Sequence, residues 1–174
     1  MCRCPAGPTI TSVRHRVSGR VDITSSPVTS SPVTTTGAAA VEEIYAAFGR
    51  GDVPAILARL AADVAWDDWP DNFAQRAGVP HLVTRRGPAE VEGFFAVLGS
   101  CTVLDFAVLD IIGADRQVVA EVRASFALPG GGRFTDEELH LWTFDDEGRV
   151  SRFRHYCDTA KHIAAAGGED TTVR

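Results

Sequence analysis

The spacing of apolar residues changes once along this chain, from a helical repeat in its first half to a strand repeat in its second. Apolar side chains recur every three or four positions in three early segments, which predicts three helices. Gly49 ends the first helix, Asp52 is placed to cap the second, and Pro88 lies in the first turn of the third. Between the second and third helices, Asp63–Trp69 alternates as a strand does. Residues 70–86 then form a polar loop long enough to act as a lid or rim.

After Ser100 the repeat shortens to two residues, the period of a strand whose side chains alternate between the two faces of a sheet. The predicted strands cover residues 102–112, 117–128, 134–145 and 149–157, and a short helix over Thr159–Ala166 follows them. The turns between these strands are short enough for antiparallel hairpins. Helices followed by such a meander indicate an α+β fold. We predict a cone-shaped, curved antiparallel (mixed) sheet covered by three N-terminal helices, with a short C-terminal helix and a cavity inside the cone.

Composition divides the chain into three parts. Residues 1–37 are rich in Ser, Thr and Pro, and the pentapeptide Ser-Ser-Pro-Val-Thr occurs at 25–29 and again at 30–34. Such a segment buries too little apolar surface to offset the entropy of ordering it, so we predict a disordered tail over 1–37. A single domain is expected over 38–166, because 174 residues suffice for one well-buried core. Residues 167–174 are predicted to be a flexible C-terminus.

Charge and cysteine content exclude several classes of function. The net charge is −6, and beyond residue 37 the chain has 13 basic against 22 acidic side chains. This balance argues against nucleic-acid binding, which depends on neutralising phosphates. No apolar run has the length of a signal peptide or a membrane span, so we expect a cytoplasmic protein without membrane association. The four cysteines show neither a disulfide framework nor a metal-ligand spacing, so no metal site is predicted.

Two histidines on neighbouring predicted strands are candidates for chemistry. Alternation places His155 on the same face as Phe153 and His140 on the same face as Trp142, so both imidazoles are expected to line the interior. A buried imidazole needs a partner, and its pKa shifts readily, which suits proton transfer. The alternative is that both are hydrogen-bonded structural residues. The other histidines, which are predicted to be solvated, are His15, His81 and His162.

A pair of aspartates ends the early strand, and alternation allows only one of them to face the interior. If Trp66 points inward, Asp68 is the inward candidate for an acid or base and Asp67 is solvated. The alternative is that Asp68 caps a turn before Pro70. Aromatic side chains near this strand and in the third helix suit a flat or alicyclic ligand, or a plain core. The predicted substrate-binding residues are Tyr45, Trp66, Trp69, Phe94, Phe95, Trp142 and Phe153.

Four segments carry a resemblance to a known family. They are YAAFGRGD at 45–52, LAADVAW at 60–66, GPAEVEGFF at 87–95 and GRVSRFRHYCDT at 148–159. These segments resemble the SnoaL-like proteins of the nuclear transport factor 2-like superfamily, to which ketosteroid isomerases and limonene epoxide hydrolases also belong. The resemblance covers roughly residues 38–166. It implies one cone-shaped domain, commonly a homodimer, that binds a small hydrophobic or polyketide-like molecule without a cofactor.

The resemblance carries ketosteroid isomerase positions onto this chain one at a time. The general-base aspartate of that pattern falls on Asp68, which matches. Its oxyanion-donating tyrosine falls on Ile44, so that donor is missing, and the neighbouring Tyr45 is expected to point elsewhere from the helix. Its protonated aspartate falls on His140. The resemblance therefore implies an aspartate and histidine pair able to transfer protons, with steroid isomerisation itself in doubt.

The limonene epoxide hydrolase pattern departs further. Its arginine and two aspartates fall on Val122, Ala124 and His155, so the triad that activates water is absent. Our leading hypothesis is an isomerase or cyclase that works next to a carbonyl. Asp68 would be the base, His140 the hydrogen-bond donor or acid, and His155 a second polar contact. The alternative is a non-catalytic ligand-binding or dimerisation module of the same fold.

Overall fold

The computed structural model describes residues 37–114 and 116–172, so the predicted tail lies outside the described residues apart from Gly37. The helices are α1 (Gly37–Gly49), α2 (Val53–Leu57), α3 (Phe73–Arg76), α4 (Gly87–Gly99) and α5 (Thr159–Ala166), with a 3₁₀ turn at Pro80–Leu82. The strands are β1 (Leu60–Trp66), β2 (Arg85–Arg86), β3 (Thr102–Ala114), β4 (Gln117–Ala127), β5 (Arg133–Phe144) and β6 (Val150–Tyr156). No helix in these ranges is long and apolar enough to cross a membrane.

All six strands form one open sheet in the order β2-β1-β6-β5-β4-β3. The pairing of β1 with β6 is parallel and the other pairings are antiparallel, so the sheet is mixed. The register between β3 and β4 shifts twice, near Val103 and near Val108. Such irregularities bend a strand and increase its twist. The predicted α+β class with a curved mixed sheet is therefore confirmed.

The inner face of the sheet carries both the core and the polar residues that matter below. Along β5 the buried positions alternate with more exposed ones from Phe134 to Phe144. Helices α1 and α4 contribute Ile44, Val91 and Phe94 to the same apolar cluster as Trp142 of β5. The face of β5 that supplies the core therefore also holds its acidic and imidazole side chains in the interior.

The segment between β1 and α4, predicted as a polar loop, contains α3, the 3₁₀ turn and β2. Asn72 caps α3 by accepting a hydrogen bond from the backbone N–H of Gln75, and Gln75 Nε2 donates to the carbonyl of Leu82 at 2.9 Å. Ala74 and Val79 are buried in a small apolar cluster of their own with Leu82. These contacts give the segment a compact structure with a small apolar cluster of its own.

Residues 167–172, which the sequence analysis assigned to a flexible C-terminus, hydrogen-bond to the start of β5. The backbone N–H of Arg133 donates to the carbonyl of Glu169 at 2.9 Å, and that of Thr171 donates to the carbonyl of Arg133 at 2.8 Å. This pairing fixes the end of α5 against β5.

Gly132 lies where α5 passes the turn between β4 and β5. A Cβ atom at this position would meet the carbonyl oxygen of Ala165 at 1.9 Å and its carbonyl carbon at 2.7 Å. We expect Gly132→Ala to lower the free energy of unfolding by about 3 kcal/mol, because α5 must move away. Gly130→Ala is the matched control: a Cβ there meets nothing within 4 Å. Urea unfolding measures both variants, and equal effects would contradict this packing.

Candidate functional site

A cavity lies between the inner face of the sheet and helices α1, α2 and α4. Its volume is about 70 Å³. On the same measure, one buried water needs roughly 10–15 Å³. Most of its wall is apolar and aromatic. The polar side chains in the wall are Tyr45, His81, Glu138, His140, His155 and His162. An apolar cavity with a few convergent polar groups is typical of a small-molecule site.

The structure places all but one of the predicted substrate-binding residues in this wall. Those that line the cavity are Tyr45, Trp66, Phe94, Phe95, Trp142 and Phe153. Trp69 does not line it: its ring packs on Tyr156 with centroids 4.8 Å apart, and the guanidinium of Arg154 lies 5.3 Å from its centroid. Trp69 is therefore a surface contact, and ligand contact by the other six remains a prediction.

The expectation that Asp68 faces the interior and Asp67 the solvent is wrong. Strand β1 ends at Trp66, and Asp67 has a left-handed backbone with φ of +51°. This turn breaks the alternation on which the prediction rested. Asp67 is only 4% exposed. Asp68 instead forms an ion pair with Arg86 at the surface.

Asp67 holds His155 through two hydrogen bonds. One carboxylate oxygen accepts the backbone N–H of His155 at 2.9 Å, and the other lies 2.8 Å from its ring Nδ1. Burial alone would lower the pKa of His155, but the adjacent Asp67 charge and hydrogen bond raise it. Nδ1 therefore carries its hydrogen toward Asp67. Among residues 37–114 and 116–172, none hydrogen-bonds to Nε2, which leaves this atom available to a ligand in the cavity.

His140 pairs directly with His155 across β5 and β6, and the centroids of the two rings lie 4.6 Å apart. Trp142 Nε1 donates to the Tyr45 oxygen at 3.3 Å, and the Tyr45 hydroxyl lies 2.7 Å from His140 Nδ1. On the other side, His140 Nε2 lies 3.1 Å from a Glu138 carboxylate oxygen. These contacts are all satisfied when the Tyr45 hydroxyl donates to His140 Nδ1 and the Nε2–H of His140 donates to Glu138.

Burial sets the protonation of this chain of groups. It lowers the pKa of His140, although the hydrogen bond to Glu138 opposes it, so the ring is neutral at neutral pH. It also raises the pKa of Tyr45, which keeps the phenol protonated. Burial would raise the pKa of Glu138, but the hydrogen bond from His140 and the His162 ring at ion-pair distance lower it well below its usual range. Tyr45 lines the cavity and contacts His140 and Trp142 there, contrary to the expectation that it points elsewhere from the helix.

The predicted solvation of His81 and His162 is also wrong, whereas His15 lies outside the described residues. His162 is 1% exposed, and its Nδ1 lies 2.8 Å from His81 Nε2. Its Nε2 lies 3.3 Å from Glu138 and 3.5 Å from Asp136, at ion-pair distances. Burial would lower the pKa of His162, but these acids and Cys157 raise it to about 11. Burial, followed by the charge of His162, lowers the pKa of His81 to about 3.

The site therefore offers two kinds of chemistry in one volume. His155, oriented by Asp67, presents a basic nitrogen, and Tyr45 presents a hydroxyl that is held by Trp142 and His140. In addition, donor atoms of Glu138, His140 and His155 converge within 4.8 Å, and so do those of Asp136, Glu138 and His162.

The comparisons with known proteins agree with this arrangement. An open, curved mixed sheet with helices around an interior cavity is consistent with the nuclear transport factor 2-like class. The profile of the SnoaL-like domain matches residues 41–153, so the chain belongs to the SnoaL-like family. No curated protein matches the chain significantly by sequence.

Three solved structures illustrate the range of proteins that this chain resembles. A nuclear transport factor 2-like protein of unknown function from Burkholderia pseudomallei K96243 is 29% identical, with a TM-score of 0.61 over 75% of this chain and 96% of that one. TerC, co-crystallised with polyporic acid, is 24% identical, with a TM-score of 0.60 over 75% and 98%. An LEH-like epoxide hydrolase from M. tuberculosis is 18% identical, with a TM-score of 0.56 over 75% and 88%. The last two likenesses show the fold alone.

Proposed function

We propose that this protein binds a small, flat, mostly hydrophobic carbonyl compound and moves a proton at the carbon next to the carbonyl. The reaction class is isomerisation or aldol-type cyclisation. One observation supports this most: Nε2 of His155 has no partner among the described residues, in a wall that is otherwise largely aromatic, while Nδ1 faces Asp67. A histidine oriented in this way by a carboxylate is a general base.

The reaction begins when His155 Nε2 takes a proton from the carbon next to the carbonyl. The electron pair of that C–H bond forms a carbon–carbon double bond, and the carbonyl oxygen becomes an enolate oxygen. The Tyr45 hydroxyl, which donates to His140 Nδ1 in the free protein, turns its hydrogen toward this enolate oxygen, while Trp142 Nε1 still donates to the Tyr45 oxygen. Where the substrate has a carbon–carbon double bond β,γ to the carbonyl, the intermediate is a dienolate, and protonated His155 returns the proton to its γ carbon, which moves the double bond into conjugation.

In a cyclisation, the enolate carbon instead forms a bond to a second carbonyl carbon of the same molecule. The alkoxide that results takes the proton from His155, so the base is regenerated. His140 contacts Tyr45 and Glu138 and is a positioning residue in this scheme. Asp68 is left out of it, because its carboxylate pairs with Arg86 at the surface.

Epoxide hydrolysis by the limonene epoxide hydrolase triad has no support here. The positions where that pattern has an arginine and an aspartate are Val122 and Ala124, and both side chains are buried and apolar. His155 holds the position of its second aspartate.

We also propose that the protein is a homodimer, with the outer face of the sheet as the interface. Leu139 and Tyr156 are directly paired on β5 and β6, and they are 47% and 38% exposed. Large contiguous apolar patches mark association surfaces, and this cross-strand pair is the part of the sheet's outer face on which the proposal rests. Light scattering of the purified protein tests this state.

The function is tested by proton exchange into simple ketones. Wild-type protein with EDTA in D₂O is mixed with 2-tetralone, 1-indanone and cyclohexanone, and deuterium uptake is followed by proton NMR. We expect saturable exchange above the buffer rate, which His155→Gln reduces to background. Quenching of tryptophan fluorescence measures binding of the same ketones and of polyporic acid, since Trp66 and Trp142 line the cavity. Saturable binding without exchange would favour the non-catalytic ligand-binding module instead.

A further inference from the structure

We propose that Glu138, His140 and His155 form a binding site for a divalent transition metal ion of the Zn²⁺ type in the cavity wall. No spacing motif in the sequence announces it, because the three ligands come from two strands. Strand pairing creates the set: His140 and His155 are direct cross-strand partners, and Glu138 lies two residues from His140 on the same face of β5.

The distances fit a metal ion. One carboxylate oxygen of Glu138 and one ring nitrogen from each histidine all lie within 4.8 Å of one another. Metal–ligand bonds of about 2.0–2.2 Å in a tetrahedral site place donor atoms roughly 3.3 Å apart. The Glu138 oxygen and His140 Nε2, at 3.1 Å, already have this spacing. The third donor needs to move by about 1.5 Å at most.

Each of the three ligands already has an outer partner of the kind that metal ligands use. Asp67 lies at Nδ1 of His155, and Tyr45 lies at Nδ1 of His140. His162 lies 3.3 Å from the second carboxylate oxygen of Glu138. Metal-bound histidines almost always donate their other ring N–H to a carboxylate or another oxygen, which fixes the tautomer. Metal binding would therefore shift the His140 proton from Nε2 to Nδ1, where the Tyr45 oxygen accepts it.

Charge and donor type favour a divalent ion that accepts nitrogen ligands. Glu138 and Asp67 are both buried near the three donor atoms, so a divalent cation there lies close to two carboxylates, one of which also pairs with His162. Two imidazoles and one carboxylate suit Zn²⁺, Co²⁺ or Fe²⁺ better than Ca²⁺ or Mg²⁺, which prefer oxygen ligands. Three protein ligands leave a further position open to water or a ligand oxygen in the cavity.

The neighbouring group of Asp136, Glu138 and His162 is a weaker candidate, although its donor atoms also lie close together. Asp136 already accepts hydrogen bonds from Lys161 Nζ at 2.9 Å and from the backbone N–H of Asp158 at 2.7 Å. Its charge is therefore balanced by groups of the chain itself.

A Co²⁺ titration tests the proposal without any substrate. The 174-residue chain carries Cys2→Ser and Cys4→Ser, which removes two thiols outside the described residues, and is first dialysed against EDTA. We expect one Co²⁺ per chain, visible d–d absorption of a four- or five-coordinate site, no thiolate charge-transfer band, and a Kd below about 10 μM. Zn²⁺ should displace the Co²⁺ and abolish the colour.

Matched variants identify the ligands. Glu138→Gln and His140→Gln should each weaken Co²⁺ binding at least about 100-fold, and Tyr45→Phe should weaken it about 10-fold through the outer shell. Glu137→Gln is the control, because Glu137 is on the exposed face of the same strand and should leave the affinity unchanged. Circular dichroism checks that each variant is folded.

The proposal is overturned if the folded protein that carries Cys2→Ser and Cys4→Ser binds no Co²⁺ below about 1 mM. It is also overturned if Glu138→Gln and Glu137→Gln, both folded, bind Co²⁺ equally. Should the ligand variants fail to fold, the stoichiometry and the Tyr45→Phe effect still decide. A metal ion and the substrate proton compete for the lone pair of His155 Nε2, so the ketone exchange test is run with EDTA, and its failure and the failure of the metal site are separate results.

Discussion

Asp67→Asn is expected to reduce the rate of ketone proton exchange about 1,000-fold, within the range of about 10²–10⁴ that a general base contributes. When Nε2 of His155 takes the substrate proton, the imidazole becomes a cation next to the Asp67 carboxylate, 2.8 Å away. Asparagine removes the charge that stabilises this cation. It also loses one of the two carboxylate oxygens that hold the His155 ring and backbone. The exchange rate at saturating ketone measures the effect.

Asp68→Asn is the matched control, because it makes the same chemical change at the next residue. Asp68 pairs with Arg86 at the surface, and such exposed pairs contribute little. We expect exchange to change less than about twofold. A larger loss from Asp68→Asn than from Asp67→Asn would contradict the assignment and restore the role that the sequence alone gave to Asp68.

The pH dependence separates a catalytic role of Asp67 from a purely structural one. The base works in its neutral form, and Asp67 raises the pKa of His155 above its ordinary value of 6.5. Wild-type exchange should therefore rise with pH through that raised pKa and then level off. Without the carboxylate charge the pKa of His155 falls, so the residual activity of Asp67→Asn should level off at a lower pH. If Asp67→Asn only reduced the folded fraction, the exchange rate would fall but would still level off at the same pH as in the wild type.

Local patterns in the sequence were enough to predict the fold, because helices and strands bury side chains with different periods. The same alternation correctly places His140 and His155 on the inner face, and the register then makes them partners. The family profile matches residues 41–153, a range that contains three of the four segments and part of the last one. What these patterns share is that each depends on residues close together in the chain.

The errors come from interactions that the local pattern does not contain. The left-handed backbone of Asp67 exchanges the orientations of two adjacent aspartates, and nothing in Trp-Asp-Asp-Trp announces a positive φ. His81 and His162 are polar residues in short elements, and their burial involves contacts distant in the chain, such as the one that joins them across 81 positions. One local signal was available for His162: it lies three residues before Ala165, on the buried face of α5.

His162→Gln is expected to lower the free energy of unfolding at pH 6 by about 3–5 kcal/mol, the usual effect of removing one partner from a buried ion pair. The ring lies between Glu138 and Asp136, with His81 and Cys157 as its other titratable neighbours. Glutamine keeps a polar group there but removes the positive charge, so the Glu138 carboxylate loses its cationic partner. Urea unfolding of both proteins at a series of pH values measures the difference.

The sign of the pH dependence follows from the pKa of His162, which is about 11 in the folded protein against an ordinary 6.5. Its stabilisation is complete below about pH 6.5 and declines by up to about 1.4 kcal/mol per pH unit as the pH rises toward 11. The loss of unfolding free energy that His162→Gln causes should therefore become smaller between pH 7 and 9. His81→Gln is the control: with a pKa of about 3, His81 is neutral when folded, and above pH 7 it is mostly neutral when unfolded. Its cost should stay nearly constant over that range, whereas a constant cost for His162→Gln would show that His162 is not a buried cation.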